Sequence, residues 1–88
     1  ERTETTSEII SDRPWSTQLI NDEFNSMDYV IHVLQEVLQI EQSKAVGYML
    51  TAHKEGRAAV FSGGYEKARG IAQRLNAHML MAEVVKDD

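Results

Sequence analysis

The chain has 88 residues, of which 42% are hydrophobic and 26% are charged, a composition typical of one small globular domain. Its 14 acidic residues outnumber its 9 basic residues, and a net charge of -5 has the wrong sign for holding a phosphate backbone, which excludes nucleic acid as an expected partner. Because the sequence contains no cysteine, disulfides, thiolate metal sites and thiol nucleophiles are excluded too. No apolar run approaches the roughly 18 residues of a membrane span, so we expect no membrane as a partner.

The first 13 residues differ in composition from the rest of the chain. They are rich in Thr, Ser and Glu, and their only apolar residues are Ile9 and Ile10. A segment of this composition buries too little apolar surface to offset the entropy lost on ordering it. We therefore predict a disordered tail over residues 1–13 and a folded domain over residues 14–88, with Pro14 at the boundary.

The first half of the predicted domain contains a strand and two helices. Trp15 to Ile20 is a short run rich in β-favouring residues, which predicts a strand. Ser26 is a good N-cap, and apolar residues recur at three- and four-residue steps from Met27 to Leu38, which predicts the first helix. A second helix is predicted to begin near residues 40–43 and to end at Gly56, a natural C-cap.

The second half predicts a strand, a helix and a last strand. Arg57–Phe61 favours a short buried strand that ends before Gly63-Gly64. An apolar helical stripe then runs from Ala68 to Leu75, and Met79–Val85 is predicted to be the last strand. The order is βααβαβ, so we predict an α+β fold in which three helices pack on one face of a three-stranded antiparallel sheet.

Sequence motifs of catalysis and metal binding are missing from the chain. There is no nucleophile elbow, P-loop, dinucleotide fingerprint or H-E-x-x-H sequence. His32, His53 and His78 do not form an i, i+4 pair, and no other residues cluster at metal-ligand spacing. We therefore predict no catalytic residue, no metal and no cofactor.

A set of polar and apolar residues remains that favours a small binding pocket. His53 shares a helical stripe with Met49 and Leu50, where taken alone it is more simply a core histidine. The Asn-Asp-Glu run at residues 21–23, taken alone, is more simply a solvated turn. Together they favour a ligand with a cationic head and an apolar side chain, such as a free protein N-terminus with a hydrophobic first residue. Hydrogen bonds from an ammonium to such acceptors are charge-assisted and therefore strong.

Two segments resemble a known protein family. The string LINDEFNSMDYV from Leu19 to Val30 resembles the L-x-N-D-D-x-x-x-M-E-[FY]-V signature of ClpS, the N-end rule adaptor family. The string AVGYMLTAHKEGRAA from Ala45 to Ala59 resembles the A-x-x-x-M-x-x-x-H-x-x-G-x-A segment of that family. With the order βααβαβ, the resemblance extends from Trp15 to about Val84.

The resemblance to ClpS implies a function, partners and a location. ClpS-like proteins bind N-degrons, which carry a free α-amino group and Leu, Phe, Tyr or Trp as first residue, and deliver them to a Clp AAA+ unfoldase and its peptidase. The resemblance therefore implies a monomeric, non-enzymatic adaptor that contacts the N-domain of ClpA or ClpC. It also implies a role for the tail in delivery, and a location in the bacterial cytoplasm, or in the plastid stroma if the protein is organellar.

The resemblance also implies individual site residues. Asn21, Asp22 and His53 would hold the α-amino group, and Met27 would screen out β-branched side chains. Asn25 and Ala52 stand where the family usually has Thr and Val, and Glu23 replaces its second Asp. The implied side-chain pocket consists of Asn25, Met27, Val30, Met49, Ala52 and Leu80.

Two other functions stay open at this point. A domain that binds only the N-domain of the unfoldase would modulate the unfoldase without recognising N-degrons. A small hydrolase that uses His53 with Asp22 is the second alternative, although the sequence places no nucleophile beside them. Peptides that differ only in their first residue distinguish the adaptor from the modulator.

Overall fold

The structure, a computed structural model, describes residues 14–87, so the tail predicted over residues 1–13 lies outside the described residues. The described chain forms six elements, in the predicted order βααβαβ. They are strand β1 (Trp15–Ile20), helix α1 (Met27–Leu38), helix α2 (Gln42–Glu55), strand β2 (Arg57–Gly63), helix α3 (Tyr65–Ala77) and strand β3 (Met81–Lys86).

The three strands form an antiparallel sheet in which β1 is central and the order is β2-β1-β3. Leu19 near the end of β1 pairs with Ala58 of β2 and with Ala82 of β3. The register with β2 shifts between Thr17 and Gln18, which indicates a β-bulge. Because β1 pairs on both sides along its whole length, its last residues and the loop that follows them have a fixed position.

The core lies between the sheet and the helices, as predicted. Helices α2 and α3 pack on the sheet, and α1 packs on α2 and α3. Leu34 and Leu75 are fully buried there, and Thr17 of β1, also fully buried, donates a hydrogen bond to the carbonyl of Ala68 over 2.8 Å. Among the described residues, no buried side-chain nitrogen or oxygen lacks a partner.

The two predicted helix caps are confirmed. Ser26 is the N-cap of α1, and its Oγ accepts a hydrogen bond from the backbone N–H of Tyr29 over 3.1 Å. Gly56 is the C-cap of α2, and its φ of 96° lies in the left-handed region that glycine tolerates best.

The ends of two strands differ from the predicted ones. Strand β2 continues to Gly63 because that residue still pairs with Trp15 at the start of β1. Strand β3 begins at Met81 rather than at Met79, because Met79 has a left-handed φ of 74° and belongs to the turn after α3. The N–H of Leu80 still donates to the carbonyl of Leu75, over 3.1 Å, which keeps Leu80 in that turn.

The face that α2 buries also differs from the predicted one. The sequence stripe placed Leu50 and His53 together with Met49, whereas the helix buries Ala45, Met49 and Ala52. Leu50 is 48% exposed, and His53 is exposed. Two of the three side chains that α2 buries are therefore small alanines, and His53 lies outside the core, where it lines a cavity described below.

No helix among residues 14–87 is long and apolar enough to cross a membrane.

Candidate functional site

A cavity of about 160 Å³ lies where β1 ends, between the loop at residues 21–26, the start of α1 and the end of α2. Polar groups from the loop and from α2 and apolar groups from both helices meet in it. The cavity is lined by Leu19, Ile20, Asn21, Asp22, Glu23, Asn25, Met27, Val30, Met49, Ala52 and His53.

A backbone hydrogen bond joins the loop to the end of α2. The N–H of Asn21 donates to the carbonyl of Gly56 over 3.0 Å, and the N–H of Gly56 donates to the carbonyl of Ala52 over 2.9 Å. The left-handed conformation of Gly56 turns the chain there so that both bonds form. Asn21 and His53, which are far apart in sequence, therefore line the same cavity.

The carboxylate of Asp22 shapes the loop. Its Oδ1 accepts the backbone N–H groups of Phe24 over 3.0 Å and of Asn25 over 2.8 Å. Its Oδ2 accepts Nδ2 of Asn25 over 3.2 Å. A carboxylate has about four lone-pair positions, so Oδ2 can accept a further hydrogen bond from a ligand. Asp22 therefore builds the loop and still offers an acceptor to the cavity.

Two hydrogen bonds tie the turn after α3 to this side of the molecule. Nδ2 of Asn25 donates to the carbonyl of Met79 over 2.9 Å. Oη of Tyr29 donates to the carbonyl of His78 over 2.8 Å. The turn, in which Met79 has a left-handed conformation, is thereby held against the loop.

The helices supply the apolar wall of the cavity. Met27 is the first residue of α1, and it is 49% exposed while it lines the cavity. Val30, one turn further along α1, and Met49 and Ala52 of α2 are buried. The core side of the wall therefore consists of buried side chains, and its solvent side is the flexible thioether of Met27.

The cavity brings together all but one of the predicted site residues. Asn21, Asp22 and His53 lie on it with Asn25, Met27, Val30, Met49 and Ala52. Leu80 does not line it and is 2% exposed in the core. Sequence reasoning omitted Leu19 and Ile20, although their position directly before Asn21 is a signal that could have found them.

Among the residues that line the cavity, Asn21, Glu23 and His53 have polar side chains that make no hydrogen bond within residues 14–87. The other two histidines lie elsewhere: Nε2 of His32 is 3.2 Å from Oε1 of Glu36 on the exposed face of α1, and His78 is the C-cap of α3. The described residues contain no group of three or more acidic or histidine side chains that could hold a metal ion.

Comparisons with known proteins identify relatives that match most of the chain. A family model described as "ATP-dependent Clp protease adaptor protein ClpS" matches residues 11–83. The chain is 39% identical over 77 residues to the "ATP-dependent Clp protease adapter protein ClpS" of Nocardia farcinica, covering 88% of this chain and 73% of that relative. It is 34% identical to the protein of the same description from Streptomyces coelicolor, over 99% of this chain and 95% of that relative.

A solved structure has the same fold. The structure of Agrobacterium tumefaciens ClpS2 bound to L-phenylalaninamide superposes with a TM-score of 0.80 at 22% identity, and the match covers 85% of this chain and 98% of that chain. The similarity of sequence and of fold confirms the resemblance seen in the two motifs. This chain belongs to the ClpS family, the adaptor proteins of the ATP-dependent Clp protease.

Proposed function

We propose that this protein is a non-enzymatic adaptor that binds N-degrons and delivers them to a Clp AAA+ unfoldase and its peptidase. The observation that carries the proposal is the division of the cavity into a polar side and an apolar side. Acceptors from Asn21, Asp22 and His53 suit an α-ammonium group, and the wall of Met27, Val30 and Met49 suits a hydrophobic side chain.

The size of the cavity supports a single side chain as its occupant. A volume of about 160 Å³ is smaller than the roughly 300–1,000 Å³ of sites for cofactors and drug-sized molecules. A Leu or Phe side chain with its amino group is a ligand of suitable size and polarity. The relative from A. tumefaciens binds L-phenylalaninamide, which carries the same two features.

Binding is tested with short peptides that differ only in their first residue and carry a fluorophore at the C-terminus. We expect peptides beginning with Leu, Phe, Tyr or Trp to raise the fluorescence anisotropy and peptides beginning with Ser or Glu not to. Acetylating the amino group removes its charge and two donors, which should weaken binding by about 100-fold or more. Undiminished binding of the acetylated peptide contradicts the proposal.

A matched pair of histidine variants assigns the binding to the cavity. His53→Ala removes a cavity acceptor, whereas His32→Ala removes an exposed histidine of α1 that does not line the cavity. We expect the first variant to lose affinity for the Phe peptide by about tenfold or more and the second to keep it. Equal affinities in the two variants contradict the assignment.

Delivery requires a second experiment, with a reporter that begins with Leu or Phe and a reconstituted Clp unfoldase and peptidase. We expect the wild-type protein to accelerate degradation of the reporter and His53→Ala to accelerate it less. A protein that binds the unfoldase N-domain but binds none of the peptides is instead the modulator considered above.

A further inference from the structure

The side chain of Asn25 lines the cavity with both of its donors already occupied. Its Nδ2 donates to Oδ2 of Asp22 over 3.2 Å and to the carbonyl of Met79 over 2.9 Å. A carboxylate and a backbone carbonyl can only accept, so chemistry alone determines which end of the carboxamide is the nitrogen. The group that Asn25 can offer to a ligand is therefore its carboxamide oxygen, which has no partner within residues 14–87.

The acceptors of the cavity can be matched against the donors of a bound N-terminus. Besides Asn25, the side-chain acceptors that line the cavity are the carboxamide oxygen of Asn21, the remaining position on Oδ2 of Asp22, the carboxylate of Glu23 and a ring nitrogen of His53. An α-ammonium group has three N–H donors, fewer than these acceptors, so its binding does not require Asn25. The next donor along a peptide is the N–H of its first peptide bond.

We propose that the carboxamide oxygen of Asn25 accepts the N–H of the first peptide bond of the bound N-degron. This inference rests on the proposed function and adds Asn25 to the acceptors of its site. The two hydrogen bonds of Nδ2 hold the oxygen in place before the ligand arrives, so little side-chain entropy is lost on binding. Asn25 would thus distinguish a ligand with an amide after its first residue from a ligand of the same shape that lacks this N–H.

L-phenylalaninamide and L-phenylalanine methyl ester provide the test. The two ligands share the amino group and the side chain, but the ester has an oxygen where the amide has its N–H. Affinities of both ligands are measured by competition against a labelled Phe peptide, and the ratio of the two affinities is compared between proteins. Comparing ratios cancels the difference in amine basicity between the two ligands.

The wild-type protein should prefer the amide, and Asn25→Leu should reduce that preference by about three- to tenfold, as expected for one neutral hydrogen bond. Tyr29→Phe is the matched control, because it removes the other tie to the turn at residues 78–79 and leaves Asn25 intact. It should keep the wild-type ratio. If Asn25→Leu does not fold, Asn25→Ala removes the same oxygen without adding bulk.

The outcomes separate the two proposals. The same ratio in wild type and in the Asn25 variants overturns the role of Asn25 and leaves N-degron binding standing. A ratio that falls equally in Tyr29→Phe and in the Asn25 variants also overturns it, because the effect then comes from the turn. Failure of the wild-type protein to bind either ligand overturns both proposals.

Discussion

Asp22 combines two tasks in one carboxylate, since it accepts three hydrogen bonds within the protein and lines the cavity. Asp22→Asn keeps an oxygen for the backbone N–H groups of Phe24 and Asn25, but it places an NH₂ group at the Oδ2 position, where Nδ2 of Asn25 donates now and where the ammonium would bind. We expect the variant to fold and to lose affinity for a Phe peptide by about tenfold or more.

Asp28→Asn is the matched control, because Asp28 is exposed in the first turn of α1 and does not line the cavity. Fluorescence anisotropy gives the affinities, and thermal unfolding followed by circular dichroism shows that both variants fold. Equal losses of affinity in the two variants would mean that overall charge, rather than the acceptor, determines binding.

Ala52 is a buried residue of α2 that lines the cavity with a small side chain. Ala52→Val adds two methyl groups to the cavity wall, and overpacking costs about 1–3 kcal/mol where no room is left. Larger first residues should suffer more, so we expect the ratio of Trp to Leu affinity to fall by about fivefold or more.

The comparison uses two peptides that differ only in Trp or Leu at the first position. Ala59→Val is its control, because Ala59 is exposed on β2 and does not line the cavity. If Ala52→Val leaves the ratio unchanged, Ala52 does not limit the size of the bound side chain.

At the scale of elements, the end of α2 and the loop after β1 depend on each other through Gly56. Its carbonyl accepts the N–H of Asn21, and its φ of 96° is strained for any residue with a side chain. Gly56→Ala should therefore lower the free energy of unfolding by about 1–2 kcal/mol. It should also weaken peptide binding, because the hydrogen bond from Asn21 to Gly56 positions the loop of Asn21 beside the end of α2, which carries His53.

Gly47 provides the opposite case in the same helix. It lies inside α2, and a Cβ atom added there meets nothing within 4 Å. Gly47→Ala should raise the free energy of unfolding by about 0.5–1 kcal/mol and leave peptide affinity unchanged. Urea unfolding measures both variants, and stabilisation by Gly56→Ala would contradict the strain at that position.

At the scale of the whole molecule, peptide binding by the cavity and delivery by the tail can be tested separately. All residues that line the cavity lie between Leu19 and His53, so a chain that begins at Pro14 should bind a Phe peptide as tightly as the full chain. The resemblance to ClpS implies that residues 1–13 act in delivery, so the shortened chain should fail to stimulate degradation of an N-degron reporter. Full stimulation by the shortened chain would contradict a role of the tail in delivery.

Most of the fold follows from local patterns. The caps Ser26 and Gly56 and the six elements in their order are recognisable because periodicity and capping depend on neighbours in sequence. The prediction of the buried face of α2 was wrong because it grouped Leu50 and His53 with Met49, whereas the helix buries Ala45 and Ala52 beside Met49. The start of β3 was misplaced because nothing in the sequence signals the left-handed φ of Met79.

The sequence by itself determined the element order, the helix caps, the family and most of the residues that line the cavity. Only the tertiary structure decided which distant groups meet: Asn25 contacts Met79, 54 positions away, and Tyr29 contacts His78, 49 positions away. It also separated Leu80, which is buried in the core, from the residues that line the cavity. The physical reason is that such contacts depend on strand register and helix packing, which the whole core sets at once.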